Sequence, residues 1–176
     1  MTKFQIFSSE APYPEPEIYS FSRRDVLALT NDYAGRESET TAIMQYAYQS
    51  YIVKEKYPDL SLVLENVSKV EMLHHELLAE AIVQSGGDPV IAGRNCFWSG
   101  SAVNYTRDIC SMLKADLEGE LGAIANYRRT ISALTNKSLV ALIERIIEDE
   151  EIHVAIFRQL LSEFSCAQSR PECRCF

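Results

Sequence analysis

The chain reads Val70-Glu71-Met72-Leu73-His74-His75 and, 79 residues on, Asp149-Glu150-Glu151-Ile152-His153, so a Glu-x-x-His motif is written twice in strongly helical sequence. At ~100° per residue, positions i and i+3 share one helix face about a turn apart, and both side chains of a motif reach one point in space. Upstream of each motif stands a Glu followed seven residues later by a Tyr: Glu39 with Tyr46 and, 81 residues on, Glu120 with Tyr127. Seven residues bring a helix round to within ~20° of its start, so each Glu and Tyr lie on one face, two turns apart. The chain reads as a helical hairpin written twice around one centre, with four carboxylates and two imidazoles turned inward. Phase rejects the neighbours: Glu37, Glu118 and Glu148 sit two residues away, ~200° round the helix, and belong to solvent or another helix. Glu151 needs a different register. His75 pairs with Glu71 at i+4, but only His74 repeats the spacing of the second hairpin.

Connection lengths give the topology. Residues 1–20 form an extended N-terminal arm, with Pro12, Pro14 and Pro16 alternating and no helical period. Such an arm packs on a neighbouring subunit or hangs as a disordered tail. A short helix is expected over Asp25 to Thr30, broken near Asn31 and Gly35. A long helix follows from about Arg36 to Lys56, ending before Pro58. After that tight turn comes a second, roughly Leu60 to Ser85, stopped by Gly86 and Gly87. Residues 86–105 carry Gly86, Gly87, Pro89, Gly93 and Gly100 without helical period and are long enough to cross from one end of a bundle to the other. A third helix, about Thr106 to Leu134, and a fourth, about Leu139 to Phe164 capped by Asn136 or Ser138, complete the set. Short, long and short connections mean two antiparallel hairpins joined by one crossover: an all-α, ferritin-like four-helix bundle over residues 21–165, followed by a Cys-rich tail, 166–176.

Composition narrows the function. A chain of 176 residues suits one domain with a sizeable core. The formal net charge of −8, with no basic patch, speaks against nucleic acid as a partner. Four Glu facing two divalent ions are locally neutral, so part of this acidity belongs to the centre. No apolar run suits a bilayer, and the first residues, MTKFQIFSSE, lack the continuous apolar stretch of a secretory leader. The expected compartment is the cytoplasm, with a spore coat or other shell as the alternative. Of five cysteines, Cys96 and Cys110 stand alone while Cys166, Cys173 and Cys175 crowd the end. No pair of C-x-x-C motifs exists for a rubredoxin-type iron. The terminal cysteines read as a reducible tail, or as metal-scavenging or crosslinking thiols.

A plain bundle with incidental charges is the competing reading. It weakens at the ligand positions, because the face that should pack Ile43, Leu78, Ile124 and Ile147 cannot take ionised Glu without a partner or a metal. The six candidate metal ligands are Glu39, Glu71, His74, Glu120, Glu150 and His153. Tyr46 and Tyr127 are either core residues bonded to ligand carboxylates or redox-active groups, and are carried with Glu150 as the candidate catalytic set. Asp149 stands where it can fix the tautomer of the opposite hairpin's His, whereas its counterpart is Val70.

These motifs resemble the ferritin-like dimetal-carboxylate superfamily. Asp149 through His153 and Ala115-Asp116-Leu117 leading into Glu120 are similar to bacterioferritin. More of the chain resembles manganese catalase and its short spore-coat relatives: Ala34-Gly35, Glu39, Ala42, Gln45-Tyr46 and Gln49-Ser50, then Trp98-Ser99, Tyr105-Thr106, Asp108 and Ala115-Asp116. The resemblance covers about residues 25–160 and implies Glu39, Glu71, His74, Glu120 and His153 as ligands, with Glu150 a ligand or a proton-handling neighbour. Met72 takes the place of the bacterioferritin haem ligand but reads better as an ordinary helix Met, so haem is not expected. Full manganese catalases carry a long C-terminal extension that has no match after Phe164, which bears on assembly.

Carboxylate and imidazole donors suit two Mn or Fe ions per chain. Glu71 and Glu120 are expected as shared ligands, with Glu39 terminal and Glu150 moving protons. The implied function is a dimetal redox protein that disproportionates or scavenges hydrogen peroxide, in a homo-oligomer. The alternatives are a ferroxidase or iron-storage protein handling dioxygen or peroxide, and a structural coat or shell protein that retains the metal site.

Overall fold

The computed structural model describes residues 4–17, 22–93 and 96–166. Among the described residues, five α-helices carry the fold: α1 (Arg23–Ala34), α2 (Glu39–Val53), α3 (Pro58–Gln84), α4 (Ile109–Ala133) and α5 (Lys137–Glu163). Helices α2 and α3 form one hairpin and α4 and α5 the other, with the long crossover between them. No helix among the described residues is long and apolar enough to cross a membrane.

Local chemistry sets the boundaries. Pro58 opens α3 in its first turn, where the missing N–H costs nothing. Asp108 caps α4 by accepting from Ser111 N, so that helix starts at Ile109 rather than near Thr106. Asn136 is the cap of α5, accepting from Ser138 N. The short first helix is twice the expected length: Ser22 caps it at Asp25 N, and it runs through Asn31 to Ala34. It stops at Gly35, whose N–H reaches Asn31 O at 2.8 Å. A Cβ there would lie 2.5 Å from that carbonyl, so the close approach requires glycine.

Two separate apolar cores fill the bundle. Leu29, Tyr33 and Ala34 of α1 close one end over Leu78, Ile82, Leu139, Leu142, Ile143 and Ile146. Val53, Leu60, Leu64, Val67, Met112, Leu113, Phe157 and Leu160 fill the other. Between them lies a polar layer.

Two sequence expectations change. The described part of the N-terminal arm, 4–17, folds back on its own bundle: it runs along α5, from Phe7 beside His153 to Glu17 beside Ser138. Pro12, Pro14 and Pro16 keep it extended and out of the helical ladder. Cys110, read as isolated, forms a disulfide with Cys166 that ties the start of α4 to the end of α5. Cys166 is thereby part of the bundle; Cys173 and Cys175 lie outside the described residues. Cys96 is free and exposed.

Candidate metal centre

The polar layer contains all six residues singled out in the sequence. Glu39 is the first residue of α2, Glu71 and His74 lie mid-way along α3, Glu120 on α4, and Glu150 and His153 on α5. All six are buried, none more than 3% exposed. Their ligand-type atoms fall into two quartets: Glu39, Glu71, His74 and Glu150, and Glu71, Glu120, Glu150 and His153, each within 4.8 Å. The rejected Glu118, Glu148 and Glu151 are exposed, as helix phase requires, and Glu37 is exposed in the bend before α2, outside any helix. His75 stacks on Tyr33 with ring centroids 4.1 Å apart, outside the cluster.

The cluster has near two-fold symmetry. His74 Nδ1 faces Glu71 Oε2 at 3.2 Å, Glu150 Oε1 at 3.2 Å and Glu39 Oε2 at 3.7 Å. His153 Nδ1 faces Glu71 Oε1 at 2.9 Å, Glu150 Oε2 at 3.5 Å and Glu120 Oε1 at 3.9 Å. Glu71 and Glu150 thus turn one oxygen to each imidazole, whereas Glu39 and Glu120 each serve one side. This corrects the expected pairing of Glu71 with Glu120 as the shared residues. Glu150 holds the second central place, because its motif mirrors that of Glu71.

Hydrogen bonding fixes the imidazoles. His153 Nε2 lies 2.9 Å from Phe7 O. A carbonyl only accepts, so Nε2 carries the proton and neutral His153 turns a bare Nδ1 lone pair inward. His74 Nε2 likewise lies 3.0 Å from Asp149 Oδ2, the contact expected from the sequence. His153 Nδ1 and Glu71 Oε1 are close yet misaligned for a hydrogen bond, and Glu39 Oε2 and both oxygens of Glu150 also lack partners. Lone pairs gathered against buried carboxylate oxygens repel unless positive charge lies among them. The titration directions express the same demand. Burial disfavours the His153 cation, yet Glu71 and Glu150 hold its pKa up to about 10, and His74 is raised well above its usual value by Asp149, Glu150, Glu39 and Glu71. Burial and the neighbouring acids push Glu39 and Glu120 well above the usual carboxylate range. The donor set, four carboxylates and two inward imidazole nitrogens, fits a pair of hard or borderline divalent ions.

The tyrosines cross between hairpins. Tyr46 of α2 donates to Glu120 of α4, and Tyr127 of α4 donates to Glu39 of α2. Burial and the adjacent acids raise both phenols well above their usual value, so they remain donors. The sequence placed each Tyr beside its own Glu, but only packing pairs it with the Glu of the other hairpin. Beyond them, Asp116 accepts from Gln45 Nε2 at 2.9 Å and Gln49 Nε2 at 2.8 Å, while Gln45 Oε1 accepts from Asn104 N at 2.9 Å. Trp98 Nε1 donates to Thr41 Oγ1 at 2.8 Å. The crossover is thus stitched to α2.

Residues behind the cluster escaped the sequence reading. Arg145, one turn before Asp149, bonds Asp149 Oδ1 at 2.7 Å and reaches Ala11 O and Ser9 O of the arm, each at 2.8 Å. Its i, i+4 spacing to Asp149 was a visible signal. A cavity of about 390 Å³ leads in between α2 and α4, with Glu39, Glu120 and Glu150 along it and Ala42, Gly119 and Gly122 as small wall residues. Met72 lies exposed on α3.

The sequence matches the rubrerythrin family over residues 34–164. It is 27% identical over 152 residues to a probable manganese catalase from Clostridium acetobutylicum, across 73% of this chain and 66% of that protein. It is also 27% identical over 129 residues to a bacterioferritin from Desulfovibrio desulfuricans, across 71% of this chain and 69% of that one. The chain spans about two thirds of the length of these curated relatives. Among solved structures, KatB, a manganese catalase from Anabaena, superimposes with a TM-score of 0.82 at 19% identity, covering 94% of this chain and 83% of that chain. The Desulfovibrio desulfuricans bacterioferritin superimposes with a TM-score of 0.67 at 23% identity, covering 84% and 87%. At those identities the structural likeness speaks for the fold, while the sequence match carries the kinship: the chain belongs to the rubrerythrin family, within the ferritin-like dimetal-carboxylate superfamily.

Proposed function

We propose that the cluster binds two Mn or Fe ions and that the protein removes hydrogen peroxide by disproportionation. The observation that carries the reading is the placement of Glu71 and Glu150, each with one oxygen toward His74 and one toward His153. A pair of redox-active ions bound there would supply a two-electron couple, by which one peroxide is oxidised to dioxygen while another is reduced to water. Glu39 and His74 would hold one ion and Glu120 and His153 the other, with Glu71 and Glu150 available to both. Tyr46 and Tyr127 aim Glu120 and Glu39 by hydrogen bonding. Glu39, Glu120 and Glu150 border the cavity, so a proton leaving a small substrate there meets a carboxylate that accepts it. The probable manganese catalase among the relatives supports the peroxide reading.

A bacterioferritin relative supports a second reading, ferroxidase and iron storage in a hollow homo-oligomer. One set of measurements separates them: metal content of protein purified without added metal, oxygen evolution from peroxide, and solution mass. Manganese with oxygen evolution supports the first reading. Iron well beyond two atoms per chain in a many-subunit cage supports the second. A chain that takes up neither Mn nor Fe on reconstitution overturns both.

A further inference from the structure

Both metal-facing imidazoles are held from behind by the N-terminal arm. His153 Nε2 donates to the main-chain carbonyl of Phe7 at 2.9 Å. His74 Nε2 donates to Asp149 at 3.0 Å, and Asp149 is itself clamped by the arm. Ser9 N–H reaches Asp149 Oδ1 at 2.6 Å, and the Tyr13 hydroxyl donates to Oδ2. Arg145 locks the assembly: it bonds Asp149, Ser9 O and Ala11 O, and its guanidinium lies 4.2 Å from the centre of the Tyr13 ring. The Tyr13 ring in turn meets His74 edge-on, centroids 6.3 Å apart.

This division has a chemical reason. Carbonyls in the middle of a helix are already bonded within the helix and are poor partners for a neighbouring imidazole. Position 70, which mirrors Asp149, is Val and has nothing to offer. An extended segment has carbonyls to spare, and Phe7 supplies one where the repeat fails. Phe4 and Phe7 anchor the arm against the core beside α5.

We infer that the arm is a working part of the metal centre, in which Phe7, Ser9 and Tyr13 are positioning residues that fix the tautomer and aim of His153 and His74. The inference rests on the metal reading above. It makes the two metal positions unequal: an imidazole bonded to a carboxylate is a stronger donor than one bonded to a neutral carbonyl. The ion beside His74 and Glu39 is held more tightly than the ion beside His153 and Glu120. Metal binding and arm docking are reciprocal, because each orders what the other needs.

The test uses the full chain, freed of metal and titrated with Mn²⁺ against a chromophoric chelator. The wild type takes up two ions in two steps. Tyr13→Phe weakens the tighter step about tenfold, the usual scale for loss of a partner behind a ligand. Phe7→Ala weakens the other step similarly, and Phe7→Leu restores it. A second measurement needs no substitution: cleavage of the arm by a protease slows when Mn²⁺ is bound. If the wild type binds two ions, yet both variants match it and cleavage ignores the metal, the arm is packing only and the inference falls. If the wild type binds no Mn²⁺ or Fe²⁺, the metal reading fails first, and this inference with it.

Discussion

Tyr46 on the first hairpin donates its hydroxyl to Glu120 on the second, and Tyr127 returns the same bond to Glu39. Each candidate ligand carboxylate that belongs to one side only is therefore aimed by the opposite hairpin. Tyr46→Phe keeps the ring against Phe157 and removes only the donor. The expected outcome is a loss of about 1–3 kcal/mol in stability and about a tenfold weaker grip on one of two ions. Urea unfolding and metal titration check it; an unchanged second binding step would show that Glu120 needs no such support.

The shared places of Glu71 and Glu150 separate them from Glu120. Glu150→Ala removes an oxygen from both quartets and should leave fewer than one ion per chain, whereas Glu120→Ala should leave about one. Metal analysis of the purified variants decides. Equal losses in the two variants would return Glu120 to the shared role read from the sequence.

Asp116 gives the pH dependence. Burial raises its pKa to about 7 against the lowering effect of the Gln49 and Gln45 amides. A carboxyl whose folded value lies above its unfolded value leaves stability intact below about pH 4 and reduces it as pH rises toward 7. The cost is capped at roughly 4 kcal/mol by the size of the shift. Asp116→Asn keeps an oxygen for both Gln amides and removes the charge. Metal-free Asp116→Asn should be more stable than wild type at pH 8 and equal to it near pH 4. A variant that melts lower at pH 8 shows that the charge has a partner there.

Gly119 lies on the cavity wall, in mid-helix, and an added Cβ would meet nothing within 4 Å. Gly119→Ala should therefore stabilise α4 by about 0.5–1 kcal/mol. Gly119→Leu fills the way in, so peroxide turnover should fall in kcat/KM while metal content stays. If Gly119→Leu turns over peroxide as the wild type does, substrate reaches the centre by another path.

The Cys110–Cys166 disulfide closes a loop of 56 residues. By loop-closure entropy, Cys110→Ser should cost about 4 kcal/mol, less where the unfolded chain keeps structure. A melt with and without reductant gives the same comparison on the wild type, and a Tm indifferent to reductant would count against the bond.

The sequence alone determined the two hairpins, the crossover between them, and the six residues that face inward. These depend on local rules: helix phase turns Glu120 and Glu150 in while Glu118 and Glu148 point out, and glycine and proline set where helices stop. It also marked Asp149 as a partner for His74. Only the tertiary structure decided that Glu150 rather than Glu120 shares the centre with Glu71, because an oxygen's distance to two imidazoles depends on how four helices pack. Packing across the bundle likewise decided which Glu each Tyr holds. The arm was the least legible: His153 bonds a main-chain carbonyl, which every residue carries, so no side chain in the sequence announces it.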